Sequence, residues 1–597
     1  MKQFLKQTFA STVGTLVALF LFMAMGTMGL VAILIAATVE EEGPKVKNES
    51  VLVMNLSLPI RDTNPPTSLG EALAGEENTT VTLRQVLDSL EKAKDDKRIV
   101  GLFLDGSQGS GNATGYATLK EVRQALEEFK AAGKPIIAYN LDWGEREYYL
   151  ASVADQVIIN PMGGMEINGL SSQQLFLAGA LEKYGVGVQV IRVGKYKSAV
   201  EPFINTSFSQ ENRQQTQDWL WDIWGEFLTA VGKSRELPPK EIQTIASTKG
   251  LLLPEEAKAS GLVDQLAYFD EVTDQLKELT GIEEEEDKSF RKISLSSYAE
   301  FVEGKQRSSR NKVAIVYAEG AIVNGQGETQ EVGSSSFAKE LRKIRRDEDV
   351  KAVVLRVNSP GGSATASEII LRELQLIREN NKPVIVSMGD VAASGGYWIS
   401  TASDRIFAEP NTITGSIGVF GLLPNVQKLA ADNGLTWDVV KTGTFADTGG
   451  INRPKTPEEL AIYQKYVNDI YDKFLDKVAK SRKLSKEKVA EIAQGRVWSG
   501  KDAKEIGLVD QIGGIDIAIA YAAQQAELEE DWELQEYPEQ RTLEEELLEN
   551  LLGDPEAKKL DPLTAEFLRL KKDLDIFRSL NDPKNSYTRL PFDLRID

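Results

Sequence analysis

The sequence predicts an α/β protein made of two tandem repeats of one strand-and-helix design, carried behind a single membrane-spanning helix. Three observations support this. Residues 230–265 (AVGKSRELPPKEIQTIASTKGLLLPEEAKASGLVDQ) parallel residues 478–511 (VAKSRKLSKEKVAEIAQGRVWSGKDAKEIGLVDQ), the shared GLVDQ starting at Gly261 and Gly507. Residues 148–161 (YYLASVADQVIINP) parallel residues 397–410 (YWISTASDRIFAEP) at an offset of 249, so the gaps between matching blocks are small. Each half also alternates apolar, β-branched runs with amphipathic stretches: SVLVMNL at Ser50, IVGLFLD at Ile99 and KPIIAYN at Lys134, then KVAIVYA at Lys312, VKAVVLRV at Val350 and KPVIVSM at Lys382. Such runs are the buried parallel strands of βαβ units.

Along the chain, residues 1–12 come first as a short cytoplasmic N-terminus. Residues 13–39, VGTLVALFLFMAMGTMGLVAILIAATV, hold no charge and are long enough to cross a hydrocarbon core of about 30 Å. They read as a retained transmembrane anchor, with AATVEE as the alternative cleavage site of a signal peptide. Lys2 and Lys6 precede the span and Glu40, Glu41 and Glu42 follow it, which puts the N-terminus in the cytoplasm and the bulk of the protein outside. The first repeat is expected over residues 45–300 and the second over 301–545, joined near residues 283–310, where EEEEDKSFRK and GKQRSSRNK read as a charged linker. Residues 546–597 form an acidic helical tail whose leucines either dock on a neighbour or cap their own domain.

Composition excludes much chemistry. A chain of 597 residues is too long for one core. The net charge of −21 leaves little for a polyphosphate to bind, so no nucleic-acid partner is expected. There is no cysteine and no histidine, which rules out disulfides, thiolate or imidazole metal sites, the Ser/His/Asp triad and the Cys/His pair. A hydrolase of this composition is left with carboxylates, a carboxylate-held metal, or a serine activated by lysine. No cofactor or metal is expected.

Ser394 is the candidate nucleophile. It follows the strand KPVIVSM within GDVAASGGYWIS, flanked by Ala392, Ala393, Gly395 and Gly396, and precedes an apolar helix-like run. Small neighbours let a substrate backbone approach the hydroxyl, and a helix start favours negative charge developing there. A packed small-residue turn would look the same, but packing alone predicts small residues in both copies. The equivalent position in the first half is Glu145, within DWGEREYY. A second glycine pair, in NSPGGSATAS, suits an oxyanion hole, with the N–H of Gly361 or Gly362 as donor.

With no histidine, the proton acceptor must be sought elsewhere, and RVGKYKSAVEPF offers Lys195 and Lys197 after the strand VGVQVIRV. Lys197 lies 52 residues after Glu145, and the position 52 residues after Ser394 is Ala446. The first half therefore has a lysine without a serine, and the second a serine without a lysine. If the two folds pair, one composite site forms between them. A lysine serves as base only when neutral, so burial must pull its pKa down toward neutrality.

At these residues the chain resembles the signal peptide peptidase A family in its long, two-repeat form. GDVAASGGYWIS, NSPGGS, TGSIGVFG and GKYKSAVEPF stand in the family's order, and the similarity runs over roughly residues 45–540. The resemblance implies two ClpP/crotonase-like repeats, an acyl-enzyme mechanism, Ser394 and Lys197 as catalytic dyad, Ser416 in TGSIG as the hydroxyl that orients the lysine, and Gly361 as oxyanion donor. It also implies a membrane-anchored homotetramer, a bowl-like ring on the bacterial inner membrane with its catalytic domains in the periplasm. Its substrates would be remnant signal peptides and other apolar peptide segments. Two other classes compete: a non-hydrolytic crotonase-like thioester enzyme with a carboxylate base, and a catalytically silent membrane scaffold.

Overall fold

In the computed structural model the described residues are 44–64, 80–109, 113–282, 289–303, 309–328, 330–538 and 587–589. The expected transmembrane segment, residues 13–39, lies outside them, and no helix among the described residues is long and apolar enough to cross a membrane.

The first half contains β1 (Ser50–Asn55), α1 (Leu83–Asp95), β2 (Ile99–Asp105), α2 (Tyr116–Ala131), β3 (Ile136–Asn140), α3 (Glu145–Ala151), β4 (Gln156–Ile159), β5 (Gly187–Val193), α4 (Gln210–Arg235), β6 (Gln265–Leu266), β7 (Lys292–Ser294) and α5 (Leu295–Glu303). Helix α1 shows why these segments fold locally. Thr82 caps it in a reciprocal capping box with Gln85, and Leu83, Val86, Leu87, Leu90 and Ala93 bury one face at helical spacing.

The second half contains β8 (Lys312–Glu319), β9 (Val350–Ser359), β10 (Gly361–Ser363), α6 (Ala364–Glu379), β11 (Val384–Ala393), α7 (Gly395–Ser400), β12 (Arg405–Ala408), β13 (Ile413–Gly415), β14 (Val419–Asn425), β15 (Val497–Ser499), β16 (Gln511–Ile512), α8 (Ile515–Gln525) and β17 (Glu533–Tyr537). From the tail, β18 (Tyr587–Arg589) is described. It is a strand where the sequence led us to expect helix, because its backbone pairs with two strand edges of the second half.

The duplication is explicit in the sheets. The first has the order β6-β4-β3-β2-β1-β7 and the second contains the matching order β16-β12-β11-β9-β8-β17, all neighbours parallel. The copies differ in how far two neighbouring strands run: β2 stops at Asp105 where β9 continues to Ser359. β3 stops at Asn140, whereas β11 continues to Ala393, pairing there with β13 and placing Ser394 at its end. Within the segment expected as a linker, β7 pairs with β1, and Leu295, Tyr298, Ala299 and Val302 of α5 are buried. Those four stand at helical spacing, an apolar pattern masked in the sequence by the charged runs on either side.

The halves are interlocked. One apolar cluster contains Leu83, Val86, Leu119 and Val122 of the first half together with Val313, Ile315, Val354 and Ile385 of the second. Asp390 Oδ1, on β11, accepts from the N–H groups of Ala117 and Thr118 at 3.0 Å each, capping α2. Arg356, fully buried on β9, pairs with Asp62 at 2.9 Å and Glu121 at 2.7 Å. A third sheet, in the order Glu331–Gly333, Ala321–Val323, β10, β18, β14, β5, spans both halves and the tail.

Removing the Arg356 cation leaves two first-half carboxylates buried without a counter-charge, which typically costs about 3–5 kcal/mol. Arg356→Met is expected to lower the unfolding free energy by that order, measured as the shift of the urea midpoint at unchanged slope.

Candidate active site

Ser394 sits in a turn that only small neighbours permit. Its backbone is held at φ 55°, a strained value for a non-glycine residue. Two bonds over-determine that conformation: Ser394 N–H donates to Gly415 O at 2.8 Å, and Trp398 N–H donates to Ser394 O at 2.8 Å. β10 crosses so close that a Cβ on Gly395 would lie 2.7 Å from Ser367 Oγ and 3.1 Å from Gly362 N. The small-residue run is therefore a consequence of bringing the Gly361–Gly362 backbone against the Ser394 turn.

The lysine arrives from the other half. β5 pairs antiparallel with β14 from Gly187↔Asn425 to Val193↔Val419. Gly194 then turns the chain at φ 101°. Lys195 points to solvent and Lys197 is fully buried. Lys197 Nζ lies 2.7 Å from Ser394 Oγ, 3.0 Å from Ser416 Oγ and 3.0 Å from Ser416 O. Ser394 and Ser416 are equally buried. Burial alone pushes the Lys197 pKa well below the ordinary lysine range; no carboxylate raises it. A neutral amine has two hydrogens and one lone pair. An amine so placed can give its two hydrogens to the two oxygens of Ser416 and keep its lone pair for the Ser394 hydroxyl.

Three supports were not found from the sequence. Gln215 on α4 donates to Tyr196 O at 3.2 Å and Ser198 Oγ at 2.9 Å, while its Oε1 accepts from Val497 N–H at 3.2 Å, so one amide ties the lysine loop to β15. Its only signal was a place on the same buried face as Asn212, Thr216 and Trp219, hidden in the polar run QENRQQTQ. Gly495 passes so near that a Cβ there would come 2.6 Å from Lys197 Cβ. Asp390, which caps α2, reads in the sequence as one more turn residue.

Gly361, the expected oxyanion donor, has φ 94° and its N–H donates to Ser359 Oγ at 3.2 Å. In the first half, Glu145 at the position of Ser394 accepts from the N–H groups of Asn168 (2.7 Å) and Gly169 (3.1 Å), a structural role. Among the described residues no cluster of carboxylates is arranged to hold a metal ion.

A ClpP-like α/β fold carrying a serine hydroxyl against a buried amine defines a serine peptidase. The model for Clp protease matches residues 304–414, and that for peptidase family S49 matches residues 128–283 and 377–529, one stretch in each half. The chain belongs to peptidase family S49. It is 35% identical to Protease 4 of Haemophilus influenzae over 94% of both chains, and 35% identical to Protease 4 of Salmonella typhi over 87% of this chain and 86% of that one. The chloroplastic serine protease SPPA of Arabidopsis thaliana is 35% identical over 81% of this chain and 70% of its own.

Burying an amine that must be neutral destabilises the fold. Unfolding lets Lys197 take up a proton at any pH below its ordinary value of 10.5, and this favours the unfolded chain more as pH falls, by about 1.4 kcal/mol per unit until the folded pKa is passed. Lys197→Met removes that penalty. The variant is expected to melt above the parent near pH 7, with the gap closing as pH rises toward 10.5. A gap independent of pH would mean that the lysine is not neutral in the fold.

Proposed function

We propose that the chain is a membrane-anchored endopeptidase in which Ser394 is the nucleophile and Lys197 the general base. The observation that carries this reading is the 2.7 Å approach of Lys197 Nζ to Ser394 Oγ in a fully buried setting. Ser394 Oγ attacks the scissile carbonyl carbon while its proton passes to Nζ. The tetrahedral oxyanion is held by backbone N–H groups of the Gly361–Gly362 segment. The C–N bond then breaks, the lysine ammonium protonates the leaving amine, and an acyl ester remains on Ser394. Lys197, neutral again, deprotonates a water that hydrolyses the ester. Ser416 keeps the amine oriented through both half-reactions.

Residues 13–39 anchor the chain, the catalytic halves lie outside the bacterial inner membrane in the periplasm, and the substrates are remnant signal peptides. The uncharged 27-residue stretch and its flanking charges support the topology. The resemblance of GDVAASGGYWIS, NSPGGS, TGSIGVFG and GKYKSAVEPF to signal peptide peptidase A supports the substrate class.

On a fluorogenic apolar peptide, Ser394→Ala and Lys197→Ala are expected to lose at least about 1,000-fold in kcat, and Ser416→Ala about 10- to 100-fold. Activity should rise with pH and level off well below 10.5, the side on which Lys197 is neutral. Retained cleavage by Lys197→Ala would exclude the dyad. A silent scaffold predicts no turnover in any of the four proteins.

The copies assemble head to tail as a homotetramer. By the offset of 249, the second-half equivalent of β5 is residues 436–442, and there Trp437, Val439 and Val440 are 49%, 42% and 98% exposed. Within the chain β5 finds its partner in β14 of the other half. The same surfaces repeated between copies propagate the contact around a ring, as a heterologous interface does when it closes. Light scattering should find the parent tetrameric and Val440→Lys monomeric; a monomeric parent overturns the assembly.

A further inference from the structure

We infer that Arg496 is the positioning residue of the general base: its backbone carbonyl fixes Ser416, and its guanidinium fixes the loop that carries Lys197. The inference rests on the reading of Lys197 as base to Ser394 and names what holds that base in place. Residues 494–496 form a strap between the lysine loop and the Ser416 turn. Tyr196 N–H donates to Gln494 O at 3.0 Å, Gly495 N–H donates to Ile417 O at 2.8 Å, and Ser416 N–H donates to Arg496 O at 2.7 Å. The last of these bonds holds Ser416 at its strained φ of 51°.

The strap is itself strained. Gln494 has φ 53°, and the lysine loop passes so close that a Cβ on Gly194 would lie 2.4 Å from the Gln494 carbonyl. Such a conformation persists only where its surroundings over-determine it. The Arg496 side chain does this by touching three elements. Its guanidinium carbon lies 5.2 Å from the centroid of the Tyr196 ring on the lysine loop and 4.1 Å from that of Trp498 on β15. A terminal nitrogen pairs with Asp218 Oδ2 on α4 at 3.0 Å. The two side chains of that pair are 25% and 35% exposed, so the ion pair alone contributes little. A planar cation against two rings contributes more, and a lysine cannot reproduce it.

Tyr196 immediately precedes Lys197, so the placing of its ring sets where the next side chain leaves the loop. The ionisable groups packed around this junction are Lys195 and Tyr196 on the loop, Arg496 on the strap, Asp218 on α4, and Tyr471 on the helix Pro457–Arg482, whose hydroxyl accepts from Gln494 N–H at 3.3 Å. None of their charges sets the Lys197 pKa; burial does. Loosening the loop admits water to the amine, lets it keep its proton, and moves the nitrogen off the Ser394 hydroxyl. Arg496 therefore acts through Ser416 and Lys197 and not on the reacting atoms.

The test measures Arg496→Gln, Arg496→Lys and Asp218→Asn in the full-length protein on a fluorogenic apolar peptide. Arg496→Gln is expected to lower kcat about 10- to 100-fold with KM within about two-fold of the parent. The acid limb of its kcat–pH profile should move up by at least about one unit, because a solvated amine stays protonated to higher pH. Arg496→Lys should restore only part of that loss, and Asp218→Asn, which leaves both ring contacts in place, should move the limb least. Lys197→Met gives a readout that needs no turnover: the rise it causes in melting temperature near pH 7 should shrink when Arg496→Gln is already present. An unmoved acid limb in Arg496→Gln, whatever kcat does, together with an undiminished Lys197→Met rise, overturns the proposal. If no protein cleaves peptide, parent included, while the Lys197→Met rise still shrinks, the positioning stands and the peptidase reading of the site fails.

Discussion

The antiparallel ladder between β5 and β14 is the constraint on which the site depends. Among the described residues it is the one place where a strand of the first half enters a sheet of the second, and it fixes register from Gly187 to Val193. Because side chains alternate faces along a strand, a slip of one residue would turn the following loop the other way. Gly194, Gln215 and Gly495 then convert that register into the position of a single nitrogen. Neither half can build the site alone.

The molecule sorts its buried cations by what surrounds them. Burial alone would lower the pKa of Arg356, yet Asp62 and Glu121 hold it above its usual range, and it stays charged as a structural tie between the halves. Lys197 is buried as completely with hydroxyl and carbonyl oxygens around its nitrogen and no carboxylate raising its pKa. The first arrangement stabilises charge and the second expels it. Both follow from the same desolvation, and the presence or absence of acid partners decides the outcome.

The sequence made the repeated α/β design, the buried strands and the pairing of Ser394 with Lys197 legible, because each is written as a local pattern or as a mismatch between two aligned copies. Ala446 and Glu145 mattered as much as the residues they replaced. The role of Ser416 came only through resemblance, since a serine after a glycine reads as a turn until a lysine is placed beside it. Gln215, Gly495 and Asp390 were hidden for a common reason. Each acts on a residue more than a hundred positions away, apart in sequence and together only in the fold, and nothing local marks such a contact. The segment at β7 and α5 was hidden differently, its apolar spacing outweighed by neighbouring charge.

The duplication also shows where backbone strain belongs. Ser394 and Ser416 both have positive φ, at 55° and 51°, in the half that carries the hydroxyls. Their first-half equivalents, Glu145 and Ile167, are absent from the positive-φ residues among those described. Glu145 instead begins an ordinary helix and Ile167 ends a short strand. Both copies share their sheet order and their core, so the fold itself does not require these conformations. Strain of this kind costs about 1–3 kcal/mol per residue and is relaxed wherever nothing opposes relaxation. It is absent from the copy with Glu145 and Ile167 and present in the copy with Ser394 and Ser416, which sets the two strained residues apart from the shared architecture.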